Sequence, residues 1–179
     1  MTIAVDLDNT LADTNAEMRR LFPGAERLER FVAHWAPVTR EWWAGAGLDV
    51  LERARPLPGA VAGVQTLARH DRLIYLTSRP VQAGEVSRRW LRAHGFPEAP
   101  IVFAASARKK AEYARLLGVE FAIDDDPAAA KAYRRAGIAV LLPRQPYNAR
   151  DPLALRWEEI PGRVPAFRQQ RALEVALER

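Results

Sequence analysis

Apolar residues along this chain fall into short blocks separated by longer amphipathic stretches. Thr2–Leu7, Leu73–Leu76, Ile101–Phe103, Phe121–Ile123 and Ile138–Leu142 are apolar runs of strand length, and each predicts a buried strand. Between them, polar and apolar positions take helical spacing. Pro58-Gly59 opens one such stretch, running to about His70, with proline where a missing N–H costs least. Further helices are predicted over Gln82–His94, Ala107–Leu117 and Ala128–Ala136, with Gly95, Gly118 and Gly137 as natural caps. Strands alternating with helices predict an α/β fold built on a doubly wound, mainly parallel sheet. Residues 14–55 interrupt the alternation. They carry helical periodicity broken by Pro23-Gly24, Pro37 and the Gly45–Gly47 region, and hold no strong strand. The tail from Pro165 to Arg179 predicts a charged helix whose packing the pattern does not place.

In a doubly wound sheet the ligand binds at the carboxyl ends of the strands. Polar residues stand at those ends in a notable series. The first strand runs into Asp6-Leu7-Asp8-Asn9-Thr10, the second into Thr77-Ser78-Arg79-Pro80, and the fourth into Asp124-Asp125-Asp126-Pro127. Lys109 and Lys110 open the helix before the fourth strand. Two carboxylates one residue apart on a strand leave the same side. At ~4 Å, like charges repel by about 1 kcal/mol in water and several-fold more at a protein surface. A dication between Asp6 and Asp8 would relieve that cost. Each cluster alone suits an ordinary turn or helix cap; their recurrence at successive strand ends does not.

Composition adds boundaries. At 179 residues, with 49% hydrophobic and 27% charged, the chain can bury one full α/β core. It has no cysteine, which excludes disulfides and thiolate metal sites. The three histidines, His34, His70 and His94, form no ligand-spaced pair, so a metal would be held by oxygen. The first strand begins at once, and no apolar stretch approaches a membrane span, so neither a signal peptide nor a membrane partner is expected and the cytoplasm is the default location. A net charge of +5 admits nucleic acid or a small anionic substrate. The basic residues are spread along helix faces, which favours ordinary solvated surfaces and makes nucleic acid an unlikely partner.

Taken together, Asp6-Leu7-Asp8-Asn9-Thr10, Leu76-Thr77-Ser78, the lysine before the fourth strand, and Ile123-Asp124-Asp125 resemble the four ordered motifs of the haloacid dehalogenase superfamily. The resemblance covers residues 3 to about 142. It implies a Rossmann-type catalytic core over residues 1–13 and 56–179, with a small helical cap over 14–55. The second aspartate points to the phosphohydrolase branches, since dehalogenases usually lack it. On that resemblance Asp6 is the nucleophile, forming an aspartyl-phosphate, and Asp8 is the general acid and then the base. Thr77 and Ser78 bind phosphate, joined by a lysine, with Lys110 favoured by spacing and Lys109 as the alternative. Mg²⁺ is the implied cofactor, held by Asp6, the backbone carbonyl of Asp8, and Asp124 and Asp125, with Asp125 favoured as the direct ligand.

The substrate is expected to be a small phosphate ester. Arg55-Pro56-Leu57-Pro58-Gly59-Ala60-Val61 is similar to the segment after the cap in 5′(3′)-deoxyribonucleotidases. Pro146-Tyr147-Asn148 and Arg156-Trp157-Glu158-Glu159-Ile160 resemble stretches of their bacterial relatives. Asp8-Asn9-Thr10 departs from the Asp-Gly-Val common in that family. The resemblance implies a 5′-nucleotidase acting on nucleoside monophosphates. The cap aromatics Phe22, Phe31, Trp35, Trp42 and Trp43 suit a nucleobase, because base–aromatic stacking contributes ~1–3 kcal/mol per base. Phe31 and Trp35 are expected to pack the cap internally. One of Trp42 and Trp43 is expected to face the cleft, and Arg79 is either a substrate contact or a charged helix start. Three alternatives remain: a phosphatase of sugar phosphates or other small esters, a nucleic-acid end-processing protein, and a regulatory module without turnover.

Overall fold

The computed structural model describes residues 1–21 and 39–177. The expectations for Phe22, Phe31, His34, Trp35 and the breaks at Pro23-Gly24 and Pro37 lie outside the described residues. Six strands form one sheet: β1 (Thr2–Val5), β2 (Arg72–Thr77), β3 (Ile101–Phe103), β4 (Phe121–Ile123), β5 (Ala139–Pro143) and β6 (Ala154–Leu155). Their order is β3-β2-β1-β4-β5-β6, and every pairing is parallel. The chain thus builds outward from β1 in one direction, returns, and builds outward in the other. The reversal lies between β1 and β4, where a doubly wound sheet places its ligand.

The pleat divides each strand between two cores. Ile3, Val5, Tyr75, Phe121 and Ile123 face one side, where they meet α4 (Ala60–Ala68), α5 (Gly84–Ala93) and α8 (Ile160–Leu177). Ala4, Ile74, Leu76, Ala122 and Val140 face the other, against α6 (Ala107–Leu116) and α7 (Pro127–Arg135). Burying one large aliphatic or aromatic side chain contributes about 1.5–3 kcal/mol, so these two faces supply the scaffold's stability. Within the first core Phe121 meets Phe167 of α8 edge-on, with centroids 5.0 Å apart. That contact supplies the packing partner the sequence left unplaced.

Several boundaries differ from the sequence expectations. β1 stops at Val5 rather than Leu7, because the backbone turns as soon as it clears the sheet: Leu11 and Ala12 both donate to the Leu7 carbonyl. Asp6 and Asp8 therefore stand on a loop, and the strand pleat does not set their common direction. The helix expected over 82–94 is divided into a 3-10 turn at Val81–Ala83 and then α5. Helix α8 begins at Ile160, ahead of Pro165, which lies inside it. A proline in a second turn removes only one backbone bond. Strand β6 is two residues long, too short to read as an apolar run.

Within the inserted stretch lie α1 (Thr14–Leu21), α2 (Arg40–Ala44) and α3 (Leu48–Arg53). The chain leaves the core and re-enters it side by side. Asp13 N–H donates to the Arg55 carbonyl at 2.8 Å, and Leu57 N–H donates to the Leu11 carbonyl at 2.7 Å. Trp90 of α5 donates its indole N–H to the Ala54 carbonyl at 2.7 Å, fixing the point of return. No helix among the described residues is long and apolar enough to cross a membrane.

Candidate active site

The loop after β1 is shaped by Asn9, whose φ of 55° lies in the left-handed region. Glycine and asparagine are the residues that tolerate this conformation, so Asn9 meets the same backbone need as a glycine would there. Asn9 then anchors its neighbours. Its side-chain oxygen accepts from Asn15 N–H at 2.9 Å, and its carbonyl accepts from Gln145 Nε2 at 2.7 Å. The next residue is held from beneath: Trp157 donates its indole N–H to the Thr10 carbonyl at 2.7 Å. Trp157 lies directly on α4, and a Cβ at Gly63 would meet its ring at 2.6 Å. The two stretches that looked like nucleotidase segments, 55–61 and 156–160, thus bring α4 and Trp157 together under the first motif.

At the crossover, Asp6, Asp124 and Asp125 converge. Each is buried, and each offers a carboxylate oxygen within 4.8 Å of the others. Lys110 reaches them from the first turn of α6, with Nζ 2.8 Å from Asp6 Oδ1 and 2.8 Å from Asp124 Oδ2. Lys109 points elsewhere and pairs with Glu112 at 2.8 Å on the exposed face. Three carboxylates against one ammonium leave an excess of buried negative charge. Burial is the main reason the Asp6 carboxyl is pushed up to about 7; Asp124 and Asp8 push it further, and Lys110 opposes them. Burial likewise raises Asp124, and raises Asp125 well above the usual carboxylate range with help from Asp6 and Asp124. Lys110 is held far above its ordinary value because Asp124 and Asp6 outweigh its own desolvation.

This charge excess fits a dication. Asp6 Oδ1 is buried and lacks an aligned hydrogen bond, despite its close ion pair with Lys110. A donor set made only of carboxylate oxygens suits a hard cation such as Mg²⁺. Asp6, Asp124 and Asp125 are the one such cluster among the described residues.

Asp8 stands apart from that cluster. Its carboxylate receives a fork from Arg79: Nε donates to Oδ2 at 2.9 Å and Nη2 to Oδ1 at 2.8 Å. Thr14 adds its hydroxyl to Oδ1 at 2.6 Å. Burial alone would raise Asp8, but the Arg79 charge, followed by the Arg79 and Thr14 hydrogen bonds, holds it below the usual range. Its side chain is 28% exposed against 8% for Asp6, so solvent reaches Asp8 more readily. The third Arg79 nitrogen donates to Ser87 Oγ at 2.8 Å, which fixes the guanidinium to α5. The structure thus turns Arg79 inward to Asp8, with its side chain almost wholly buried.

Thr77 is fully buried at the end of β2, and its hydroxyl oxygen accepts from Arg79 N–H at 3.2 Å. That bond leaves its O–H free to donate to a phosphoryl oxygen. Ser78 follows, half-buried, at the same rim. Trp43 packs on Leu51, Ala83 and Val86, and Trp42 meets it edge-on with centroids 5.0 Å apart. The Trp42 ring also covers Gly47, where a Cβ would lie 2.6 Å away. Both indoles are half-buried on α2, which packs against the 3-10 turn after Arg79.

Sequence reasoning missed the residues that arrange this rim. Tyr147 donates its phenol to Asp125 Oδ2, and Thr10 donates to Asp125 Oδ1 at 2.6 Å. Asn148 bridges the Asp125 and Pro143 carbonyls, 2.9 Å from each. Pro146-Tyr147-Asn148 was visible as a motif, and its position just past β5 was the available signal of a place on the rim. The Asp8–Arg79–Ser87 chain left no such signal, because its members are scattered through the sequence.

No family model matches the chain. A protein of Oceanobacillus iheyensis, whose name assigns it provisionally to the nucleotidases, is 28% identical over 95 residues. That match covers 51% of this chain and 50% of the relative, so the chain aligns with about half the length of that protein. Solved structures match more fully at lower identity. A haloacid dehalogenase-like hydrolase from Xanthomonas campestris has a TM-score of 0.65 at 12% identity, covering 95% of this chain and 96% of that one. The L-2-haloacid dehalogenase PA0810 has a TM-score of 0.62 at 15% identity, covering 91% and 98%. A Bacteroides thetaiotaomicron enzyme of the same group, solved as an Asp-to-Ala mutant with magnesium and inorganic phosphate, has a TM-score of 0.50 at 11% identity, covering 81% and 94%. The fold is that of the haloacid dehalogenase-like hydrolases.

Proposed function

We propose that this protein is a Mg²⁺-dependent phosphomonoesterase acting on nucleoside monophosphates. The observation that carries the hydrolase reading is the pairing of Asp6, crowded by carboxylates and one lysine, with Asp8, separately held and more exposed. Asp6 attacks phosphorus, the bond to the ester oxygen breaks, and an aspartyl-phosphate remains. Asp8 delivers a proton to the leaving oxygen; it then takes a proton from the water that attacks the phosphoenzyme and releases inorganic phosphate. The Arg79 fork favours the ionised form of Asp8, which takes the proton in the second step; the proton given to the leaving oxygen in the first step is taken up from solvent at the exposed part of the carboxyl. Lys110 balances charge on Asp6 and the phosphoryl group, while Thr77 and Ser78 donate to phosphoryl oxygens. Asp6, Asp124 and Asp125, with the Asp8 carbonyl, would hold Mg²⁺, which supplies positive charge against the phosphate.

Residues 14–55 serve in this reading as a cap, joined to the core through the paired segments at Asp13 and Arg55. Trp42 and Trp43 are its aromatic residues among the described positions. The nucleotide assignment draws on the relative matched over half its length, whose name assigns it provisionally to the nucleotidases, and on the segments at 55–61, 146–148 and 156–160. The magnesium assignment draws on the carboxylate cluster and on the Bacteroides structure that holds magnesium and phosphate.

Phosphate release from a panel of small esters tests this reading, run with Mg²⁺ and with EDTA. The panel spans ribo- and deoxynucleoside 5′- and 3′-monophosphates, sugar phosphates and p-nitrophenyl phosphate. Metal-dependent release concentrated on nucleotides is expected. Release spread over sugar phosphates would remove the nucleotide assignment and keep the catalytic one. No release from any ester would remove both.

A further inference from the structure

Asp125 is restrained more completely than any other member of the carboxylate cluster. Oδ1 accepts the Thr10 hydroxyl at 2.6 Å, and Oδ2 accepts the Tyr147 phenol. Thr10 Oγ1 in turn accepts from the Asp125 N–H at 3.0 Å, closing a reciprocal pair. The Asp125 carbonyl accepts from Asn148 Nδ2 at 2.9 Å. Main chain and both carboxylate oxygens are therefore tied down. Asp6 and Asp124 share Lys110, and the other Asp124 oxygen accepts from the neighbouring Asp126 N–H at 3.1 Å; Asp125 alone of the three is held through both oxygens by hydroxyl groups of two other loops.

Apart from Thr10, the ties come from one segment beyond β5. Gln145 N–H donates to Asn148 Oδ1 at 2.8 Å, so the segment folds on itself. Gln145 Nε2 reaches the Asn9 carbonyl, and Tyr147 and Asn148 reach Asp125. Residues 145–148 thus clamp the loop after β1 to the loop after β4. A carboxylate bonded through both oxygens cannot rotate about Cβ–Cγ without losing one of those bonds. It keeps whichever single presentation the clamp imposes.

That rigidity bears on which cation the cluster accepts. Mg²⁺ binds at about 2.0–2.1 Å in a strict octahedron, whereas Ca²⁺ takes six to eight oxygens at about 2.3–2.6 Å and often chelates a carboxylate through both oxygens. A ligand that cannot turn or withdraw favours the smaller ion. We propose that Tyr147, by locking the Asp125 carboxylate against Thr10, sets the preference of this site for Mg²⁺ over Ca²⁺. This rests on the metal reading of the cluster, and Tyr147 acts in it as a positioning residue, touching neither ion nor substrate.

Calorimetric titration of the metal-stripped chain with MgCl₂ and, separately, CaCl₂ tests the proposal without any assay of activity. Tyr147→Phe removes the phenol oxygen and keeps the ring. Loss of a group that orients a metal ligand typically costs 10–100-fold in affinity. The expected result is a weaker Mg²⁺ Kd in the variant with Ca²⁺ affinity kept or improved, so that the Mg²⁺/Ca²⁺ preference narrows by about tenfold. A purely structural role for Tyr147 would weaken both ions equally, and that outcome overturns the proposal, as does no change in either Kd. If the unsubstituted chain binds neither ion, the metal reading falls and takes the proposal with it, an outcome distinct from the first two. Should Tyr147→Phe fail to fold by circular dichroism, Thr10→Val frees the other oxygen of Asp125 and carries the same expectation.

Discussion

On one side of the rim stand Asp6 and Asp124, which share a single lysine, and Asp125, which has hydroxyl partners. On the other, two residues along the chain from Asp6, Asp8 has an arginine fork, a threonine hydroxyl and partial access to solvent. Burial acts on both sides in the same direction, and the outcomes are opposite: Asp6 is pushed up to about 7, while Asp8 is held below its usual value. What separates them is the count of positive partners per carboxylate. The crowded side lacks cationic charge and calls for a dication; the other is already balanced by Arg79. On the proposed reading, one loop thereby presents a nucleophile that depends on an added cation and a proton carrier that does not.

Removing the nucleophile is the most severe way to break this contrast. Asp6→Asn is expected to lower phosphate release by about 10⁴-fold or more, as loss of a covalent nucleophile does elsewhere. Circular dichroism should stay unchanged, and no radiolabelled phosphoenzyme should be trapped.

Arg79→Met attacks the balanced side. It leaves Asp8 uncompensated and unoriented, so kcat should fall by about 10²–10⁴-fold, the usual share of general acid–base catalysis. KM should change little, because Arg79 faces Asp8 and Ser87 rather than the ester. A rise in KM with kcat preserved would mean that Arg79 binds substrate after all.

Lys110→Met removes the one cation that the described residues place on the crowded side. Breaking a buried ion pair from one partner costs about 3–5 kcal/mol. Denaturant unfolding in EDTA should show that loss, and Mg²⁺ should recover part of it by supplying the missing charge.

The two sides should also answer pH with opposite signs in metal-free protein. Asp6 binds its proton more tightly folded than unfolded, since its carboxyl rises from 3.8 to about 7. Its contribution to stability is complete below the lower value and drains away as pH climbs through the higher one. Asp8 is depressed, so its contribution is present above the ordinary carboxylate value and is lost as pH falls through its own lower one. Melting temperature in EDTA should therefore decline between about pH 4 and pH 8, and the gain on adding Mg²⁺ should grow over the same interval. A Mg²⁺ gain that is flat with pH would mean the ion binds away from Asp6.

Smallest in effect is a change that touches neither carboxylate directly. Gly63→Ala should push the Trp157 ring away from α4 and cost about 1–3 kcal/mol by overpacking. Because Trp157 holds the Thr10 carbonyl, this variant should loosen the metal side while leaving the Arg79 fork intact.

Much of this was legible in the linear chain. Short apolar runs mark five of the six strands, because a strand covered by helices on both faces must be apolar throughout. Gly95, Gly118 and Gly137 mark helix ends, and all three adopt positive φ. Asp6, Asp8, Thr77, Ser78, Lys110, Asp124 and Asp125 were readable as a set, since a parallel sheet carries successive strand ends to one rim. Strand β6 was not readable: it is two residues long and exists only because Leu142 and Pro143 offer it an edge. Spacing favoured Lys110 over Lys109, and the docking of α6 turns Lys110 to the carboxylates while Lys109 pairs with Glu112 on the exposed face. The partnership of Asp8 with Arg79, 71 residues away, and that of Asp125 with Tyr147, 22 residues away, were likewise decided by tertiary structure. Local pattern determines which residues reach the rim, because strand and helix periodicities are properties of neighbouring positions. Which charge answers which carboxylate is settled only when loops distant in sequence pack together, and that pairing divides this rim into a side that needs a cation and a side that does not.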